Sequence, residues 1–358
     1  MQKYNVIGLM SGTSLDGLDL AYCQFFKKNE TWEFKILNTK SVDYTTQFKA
    51  QLKNAINLAV PGFTELHNSY GTWLGEQVKL FVEEHKLEVQ FIASHGHTTH
   101  HKPEKGFTLQ IGSGQHIANA CGITTIADFR TNDVALGGQG APLVPIGDMH
   151  LFSEYDFCLN LGGISNVSFQ QNNKRVAYDI GIANMLLNYI TYTINLAYDK
   201  NGALAKSGFV NTELLHKLNN LEYYKQPYPK STGYEWFKKE IIPIIEKTKD
   251  ATENILHTSV IHICDTISKD LLNASSKTNN SLLVTGGGAL NGFLMNTLKS
   301  KLGAKFTIDT TSKTVIEFKE ALIFAFMGVL RHLEKPNALA SVTGAKKDSS
   351  CGVIYIPQ

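Results

Sequence analysis

Arginine is almost missing from this chain. Of 34 Lys and Arg residues only three are Arg: Arg130, Arg175 and Arg331. The guanidinium is the planar fork that grips phosphate or carboxylate bidentately, and Lys is not its equal. There are thus few places for an arginine clamp. Cysteine is sparse too: Cys23, Cys121, Cys158, Cys264 and Cys351, with no CxxC pair. Several sit in apolar surroundings and read as buried free thiols of a reducing compartment. Excess charge is lacking as well. The 34 basic and 32 acidic residues leave +2, and no basic stripe appears, which argues against nucleic acid as a partner. An apolar content of 43% argues against a disordered chain. The longest apolar run, Ala321 to Leu330, has ten residues, about half a membrane span. The opening strand runs into Ser11-Gly12-Thr13-Ser14 without a small-residue cleavage pattern, so no signal peptide is expected. A cytoplasmic protein without a membrane partner is the default.

Glycine, at 29 of 358 residues, is what stands out. The length suggests about two domains, expected at 1–150 and 151–358. Strands are read at Tyr4 to Met10 and Leu18 to Phe25, the latter with Leu18, Leu20 and Tyr22 inward. Short buried strands follow at Phe91 to Ala93, Thr108 to Ile111 and Ile123 to Asp128. The period of Leu66, Tyr70, Leu74, Leu80 and Phe81 predicts a helix over 63–85. A strand, Tyr155 to Leu161, then repeats the opening grammar. A polar inserted segment is expected at about 199–250. The class is α/β.

Three glycine clusters each follow an apolar strand: Ser11 to Gly17, Gly162-Gly163-Ile164-Ser165-Asn166, and Gly286-Gly287-Gly288-Ala289-Leu290-Asn291. Such turns bring backbone N–H groups close to an anion and form a donor nest for phosphate. A hairpin turn is the plainer reading of any single cluster. Neither GxxxxGK[ST] nor a helix-opening GxGxxG occurs, which excludes a P-loop enzyme and a plain dinucleotide-binding fold. Two strand–turn–strand units plus a strand–GGG–helix unit resemble the actin, hsp70 and sugar-kinase superfamily.

Gly8 to Asp19, read as GLMSGTSLDGLD, resembles the signature of the anhydro-N-acetylmuramic acid kinases. Further blocks agree in order: Ser94-His95-Gly96-His97-Thr98, Asp128-Phe129-Arg130, Gly137 to Pro145, Asn160 to Asn166, Asp199 to Ala203, Lys230-Ser231-Thr232-Gly233, Thr285 to Asn291, Glu320-Ala321 and Val342 to Ala345. The resemblance implies a two-domain actin-like ATPase with ribonuclease H-like lobes and an ATP cleft between them. The first phosphate hairpin would belong to the N-terminal lobe, and the second hairpin and the adenosine turn to the C-terminal one. It implies ATP-dependent opening of 1,6-anhydro-N-acetylmuramic acid with phosphorylation at O6, in cell-wall recycling, using ATP and Mg²⁺. It also implies an amino-sugar substrate and a homodimer. The rivals are a same-fold kinase for another sugar or carboxylate acceptor, and a non-catalytic nucleotide-binding regulator.

The resemblance distributes roles. ATP and its phosphates fall to Gly12, Thr13, Ser14, Leu15, Asp16, Gly17, Leu18, Asp19, Gly162, Gly163, Asn166, Gly286, Gly287, Gly288 and Asn291. Mg²⁺ falls through water to Asp16 and Asp19, although Asp19 equally fits an outward strand position. Sugar contacts fall to His95, His97, Thr98, Arg130, Gln139, Pro142 and Asn184, with Arg130 anchoring a carboxylate or else paired with Asp128 or Asp133. Metal binding by His95, His97, His100 and His101 is disfavoured, since Glu104 is the only nearby carboxylate and no HExxH spacing occurs. Asp179 would be the base that activates water, and a helix N-cap is its plainer role. Glu320 would be catalytic, or a first-turn glutamate on the helix dipole. Against the family pattern this chain carries Ile180, Ile182 and Ala183 after Asp179, His97 in place of Gln, and Tyr234 in place of Arg.

Overall fold

The structure, a computed structural model, describes every residue except Met1, Thr13, Ser14, Asp16 and Glu30; at Thr310 it describes the backbone alone. The chain forms two compact units, Met1–Phe152 with Phe318–Gln358, and Ser153–Glu317.

The first unit is built on β1 (Gln2–Ser11), β2 (Leu18–Lys28), β3 (Thr31–Val42), β4 (Phe91–Ser94), β5 (His97–Lys102), β6 (Phe107–Ile111) and β7 (Thr125–Ala127). The second holds β8 (Phe157–Leu161), β9 (Ile164–Gln171), β10 (Lys174–Ile182), β11 (Asn280–Thr285) and β12 (Phe306–Thr310). The last strand, β13 (Val353–Tyr355), returns to the first unit's sheet and pairs antiparallel with β7. The sheets run β13-β7-β4-β1-β2-β3 and β10-β9-β8-β11-β12, and β5-β6 forms a separate ribbon.

The two sheets share one plan. In each, three strands form an antiparallel meander. Two more then add parallel to the first strand, on its other side. This 3-2-1-4-5 order, with the second strand opposed to the rest, is the ribonuclease H-like fold. The glycine turns at Gly12 and at Gly162-Gly163 thus occupy the same topological place, the first hairpin of each sheet. The third cluster follows β11, the first parallel addition in its sheet.

Helices cover both faces of the first sheet, which is why β1 and β2 are apolar almost throughout. Leu18, Leu20 and Tyr22 pack with Tyr70 and Leu74 of the helix Val60–His85. Ala21, Cys23 and Phe25, on the other face, are equally buried. There the helix Lys313–His332 covers them, with the Phe25 and Phe326 ring centres 5.5 Å apart. Leu80, expected in the core, is 55% exposed; the buried stripe runs through Val78 and Phe81 instead.

The expected second lobe, 151–358, gives up its final stretch. Phe318–Gln358 packs with the first unit because the helix Lys313–His332 lies on β1. A Cβ at Gly8 would stand 1.9 Å from the Ala321 carbonyl oxygen, so only glycine permits this contact. Arg331 Nε donates to the Gly352 carbonyl at 2.7 Å, tying the return strand to the same helix. The polar segment 199–250 joins the second unit's own core through Leu214, Leu218, Phe237, Ile241 and Ile245.

Gly8→Ala is expected to destabilise the protein by about 1–3 kcal/mol, the usual cost of overpacking. Gly163→Ala is the control, because a Cβ there meets nothing closer than Met185 Cε at 3.7 Å. Urea denaturation of both variants checks the contrast.

Candidate active site

In the first unit, the β1–β2 turn carries the leading candidates. Thr13, Ser14 and Asp16 lie outside the described residues. The Leu15 N–H donates to the Gly12 carbonyl at 3.2 Å, and a Cβ at Gly17 would crowd the Val42 carbonyl at 2.6 Å. Leu15 and Leu18 send their side chains into the core, and Leu18 pairs with Ser11 and Val42 on either side. Asp19 Oδ1 accepts from Ser41 Oγ at 2.6 Å.

His95 follows β4, and its buried ring meets Phe324 of the 313–332 helix with 4.7 Å between centres. Its Nε2 accepts from Arg130 Nε at 3.1 Å and Nη2 at 2.9 Å, while Arg130 Nη1 donates to the Gly140 carbonyl at 2.6 Å. Burial, reinforced by Arg130, pushes the His95 imidazole well below its ordinary value. The neutral ring therefore accepts at Nε2 and carries its proton on Nδ1. Burial lowers Arg130 to about 10, with Glu320 and then Asp133 opposing the shift. The expected alternative, an ion pair with Asp128 or Asp133, does not form. Asp128 Oδ1 caps the Thr131 N–H at 3.2 Å, and Asp133 accepts from the Gly140 N–H at 2.8 Å and from Thr343 Oγ1 at 2.7 Å. Three N–H donors of Arg130 are used, and others remain for a ligand.

The Gly8–Ala321 contact sets Glu320 in place. The helix Lys313–His332 is kinked at Phe318, where φ is −113° and ψ 15°, and Glu320 stands in the first turn after the kink, where a carboxylate also suits the helix dipole. The Glu320 side chain reaches solvent. The protein around it raises its carboxyl above the ordinary range; Arg130 and Lys319 pull it back, and Asp19 pushes it up. His97 is buried, and Thr98 Oγ1 accepts from Gln110 Nε2 at 3.4 Å. The Gln139 N–H donates to the Thr343 carbonyl at 2.8 Å, and the side chains of Gln139 and Pro142 are exposed. Among the described residues no three His, Cys, Asp or Glu side chains group as metal ligands.

In the second unit, Asp179 stands within β10 rather than after it. The N-cap of the helix Asn184–Tyr192 is Ala183, so the capping role is excluded. A bulge between Asp179 and Gly181 interrupts the register, a device that re-aims side chains near sites. Asp179 pairs across the sheet with Asn166, four residues beyond Gly162. Its Oδ2 accepts from Ser231 Oγ at 2.8 Å and from the Thr232 N–H at 3.1 Å. Burial raises its carboxyl above the ordinary value, and the Thr232 and Ser231 bonds oppose this. Ile180 and Ile182 are fully buried in the core. Their departure from the family pattern therefore changes packing and leaves the position of Asp179 on the strand.

The start of the 184–192 helix holds the Gly162-Gly163 turn from behind. Asn184 donates from its backbone to the Gly162 carbonyl at 3.1 Å and from Nδ2 to the Leu161 carbonyl at 2.9 Å. Asn184, expected at the sugar, stands beside the third glycine cluster. Gly286 has φ +81°, and a Cβ there would lie 2.5 Å from Asn160 Oδ1; one at Gly288 would lie 2.7 Å from Leu161 Cβ. Gly287 differs: its nearest such neighbour is Asn184 Nδ2 at 3.8 Å. It faces a cavity of about 710 Å³ lined by Asn184, Leu187, Tyr198, Lys200, Gly287 and Leu290, among others. Asn291 also lines it and caps the helix Gly292–Leu302, Oδ1 accepting from the Leu294 N–H at 3.1 Å.

Tyr198, Lys200 and Leu187 were missed by sequence reasoning, as were Ser231 and Thr232. The 199–203 and 230–233 blocks were the available signal for Lys200, Ser231 and Thr232, since both match the family without an assigned role; Leu187 and Tyr198 lie in neither block and are joined to the cavity only by the fold.

Two ribonuclease H-like units, each opening on a glycine-bearing hairpin, define the class, a kinase of the actin-like, sugar-kinase type. The family model for anhydro-N-acetylmuramic acid kinase matches residues 4–357. The chain belongs to that family. Anhydro-N-acetylmuramic acid kinases of Shewanella amazonensis and Aliivibrio fischeri are each 37% identical to it over 377 aligned residues, covering 99% of both chains. Among solved structures, the activator of 2-hydroxyisocaproyl-CoA dehydratase from Clostridium difficile, with bound ADPNP, aligns over 92% of this chain and 97% of its own. The TM-score is 0.42 at 11% identity.

Folding holds His95 neutral, whereas the unfolded chain protonates it below its ordinary 6.5. Its share of stability is therefore full above that value and is lost as pH falls below it. Denaturation between pH 7.5 and 5.5 should show a shallower loss in His95→Gln than in the wild type. The difference is bounded at about 1.4 kcal/mol per pH unit for one proton.

Proposed function

We propose that this kinase opens 1,6-anhydro-N-acetylmuramic acid with water and phosphorylates the freed O6 from Mg·ATP. Asp179 takes a proton from water as the oxygen attacks the anomeric carbon. The bond from that carbon to O6 breaks, and O6 attacks the γ-phosphorus in line. The bond from the γ-phosphorus to its bridging oxygen then breaks, and ADP leaves. What carries the reading is the state of Asp179. It is a half-buried carboxylate with a raised affinity for protons, fixed through Oδ2 and, among the described residues, without a hydrogen bond at Oδ1.

Arg130, oriented by His95 and Gly140, anchors the lactyl carboxylate of the sugar, and His97, Thr98, Gln139 and Pro142 line its surroundings. The second unit's cavity takes the adenosine, with Gly287 the point of closest approach. Gly12, Gly17, Gly162, Gly163 and Asn166 serve the phosphates. Asp19 and Glu320 are the described carboxylates that fit a water-mediated Mg²⁺, which neutralises phosphate charge when bound. Glu320, whose charge acts on Arg130, also tunes the charge balance there. The same reading makes the protein a cytoplasmic homodimer acting in cell-wall recycling.

Asp179→Asn should still bind ATP by calorimetry and lose at least about a hundredfold of sugar phosphorylation, within the usual span for a general base. Mass analysis of the product made from ATP, Mg²⁺ and the anhydro sugar provides the readout. Wild-type turnover in that variant removes Asp179 as the base, and no product from the wild type removes the acceptor. Gly287→Ala should keep stability within about 0.5 kcal/mol and raise the KM for ATP while sparing the KM for the sugar.

A further inference from the structure

The segment 222–232 wraps the edge strand β10 at Asp179. The Asp179 N–H donates to the Lys230 carbonyl at 3.1 Å, and Tyr223 OH donates to the Asp179 carbonyl at 2.7 Å. Ser231 Oγ and the Thr232 N–H both reach Oδ2. The segment is itself anchored. Lys230 Nζ lies 3.3 Å from Asp270 of the helix Thr252–Ala274, both side chains being largely buried, and sits over the Tyr223 ring at 5.1 Å. Backbone and carboxylate of one residue are thus held from one side, through a buried ion pair.

We infer that Ser231 and Thr232 are positioning residues for Asp179, fixing its carboxylate through Oδ2 so that Oδ1 is the oxygen that receives the proton. This rests on Asp179 being the base. Two donors on Oδ2 draw charge toward that oxygen and fix the carboxylate plane. Oδ1, which has no donor among the described residues, is then the more basic and the better aimed. The serine hydroxyl also stabilises the ionised form, so its removal makes the base harder to deprotonate. Of the other titratable groups, Tyr223 of the wrapping segment meets Asp179 directly, and Lys230, Asp270 and Tyr178 lie around Tyr223. None of them is altered by a change at Ser231.

The test uses the full enzyme with Ser231→Ala, Ser231→Thr and Asp179→Asn. Ser231 is exposed, and unchanged melting of Ser231→Ala confirms its fold. Ser231→Ala should lower kcat about tenfold, the scale of one hydrogen bond to a charged group. Both KM values should stay within about twofold, and the acid limb of the kcat profile should move to higher pH. Ser231→Thr, which keeps the hydroxyl, should restore both. Unchanged kcat and acid limb in a folded Ser231→Ala overturn the inference, as does failure of Ser231→Thr to rescue. If Asp179→Asn is inactive in those cases, the base stands and only its positioning falls. If Asp179→Asn is active, the base reading itself falls.

Discussion

Close approach of backbone to backbone, possible only where a Cβ is missing, sets where the candidate groups of this protein stand. At Gly8 the Ala321 carbonyl presses onto β1. The helix that carries Glu320 is thereby fixed against the strand that leads into the first glycine turn. At Gly286 the chain turns against Asn160 and Leu161, which binds the third glycine cluster to the strand that leads into the second turn. These contacts are steric and admit little relaxation. Gly163 and Gly287 are of another kind. Nothing in the protein fills the space a Cβ would take there, so packing does not account for them. Glycines that touch protein build the frame, and glycines that face open space leave room for something else.

The scarcity of arginine gains meaning from where the three residues go. Arg175 is buried and donates from Nη2 to Ser168 Oγ at 2.7 Å. Arg331 serves the Gly352 carbonyl. Both spend donors on neutral acceptors within the fold. Arg130 does so as well, through His95 and Gly140, but it also feels the Glu320 charge and keeps donors in reserve. Among the described residues its charge has no carboxylate at ion-pair distance, and burial lowers its proton affinity. A cation kept ionised by distant carboxylates and aimed by a neutral imidazole is suited to an incoming anion.

Much of this was legible in the sequence, and the rest was hidden for physical reasons. Apolar runs and glycine punctuation identified β1, β2, β4, β8 and β11, because buried strands write their environment in their composition. β3 was not legible. It lies at the sheet edge and mixes polar with apolar residues, and Leu37 is 47% exposed. The return of Phe318–Gln358 to the first unit was hidden as well. It depends on Gly8 meeting Ala321 more than three hundred residues away, and no local pattern encodes such a contact. For the site, the family resemblance nominated Asp179, Arg130 and the glycine turns. They did not reveal that Asp179 lies inside a bulged strand, that the helix carrying Glu320 is kinked at Phe318, or that Asn184 faces the third glycine cluster. Those facts follow from register and from where helices start and kink, which sequence fixes only to within a few residues.

The strand position of Asp179 decides how the altered motif around it should be understood. On a loop, isoleucine at 180 and 182 would reshape the backbone and carry the carboxylate away. On β10, side chains alternate, so Ile180 and Ile182 point into the core of the second unit. The bulge after Asp179 is pinned by Ser165 Oγ, which donates to the Gly181 carbonyl at 2.9 Å. A Cβ at Gly181 would stand 2.4 Å from the Tyr224 ring, so this one glycine cannot change. The register to Asn166 and the grip of residues 223–232 then set the carboxylate. Substitutions on the core face alter how tightly the strand packs. The direction of Asp179 depends on the other set of contacts, and all of those are present.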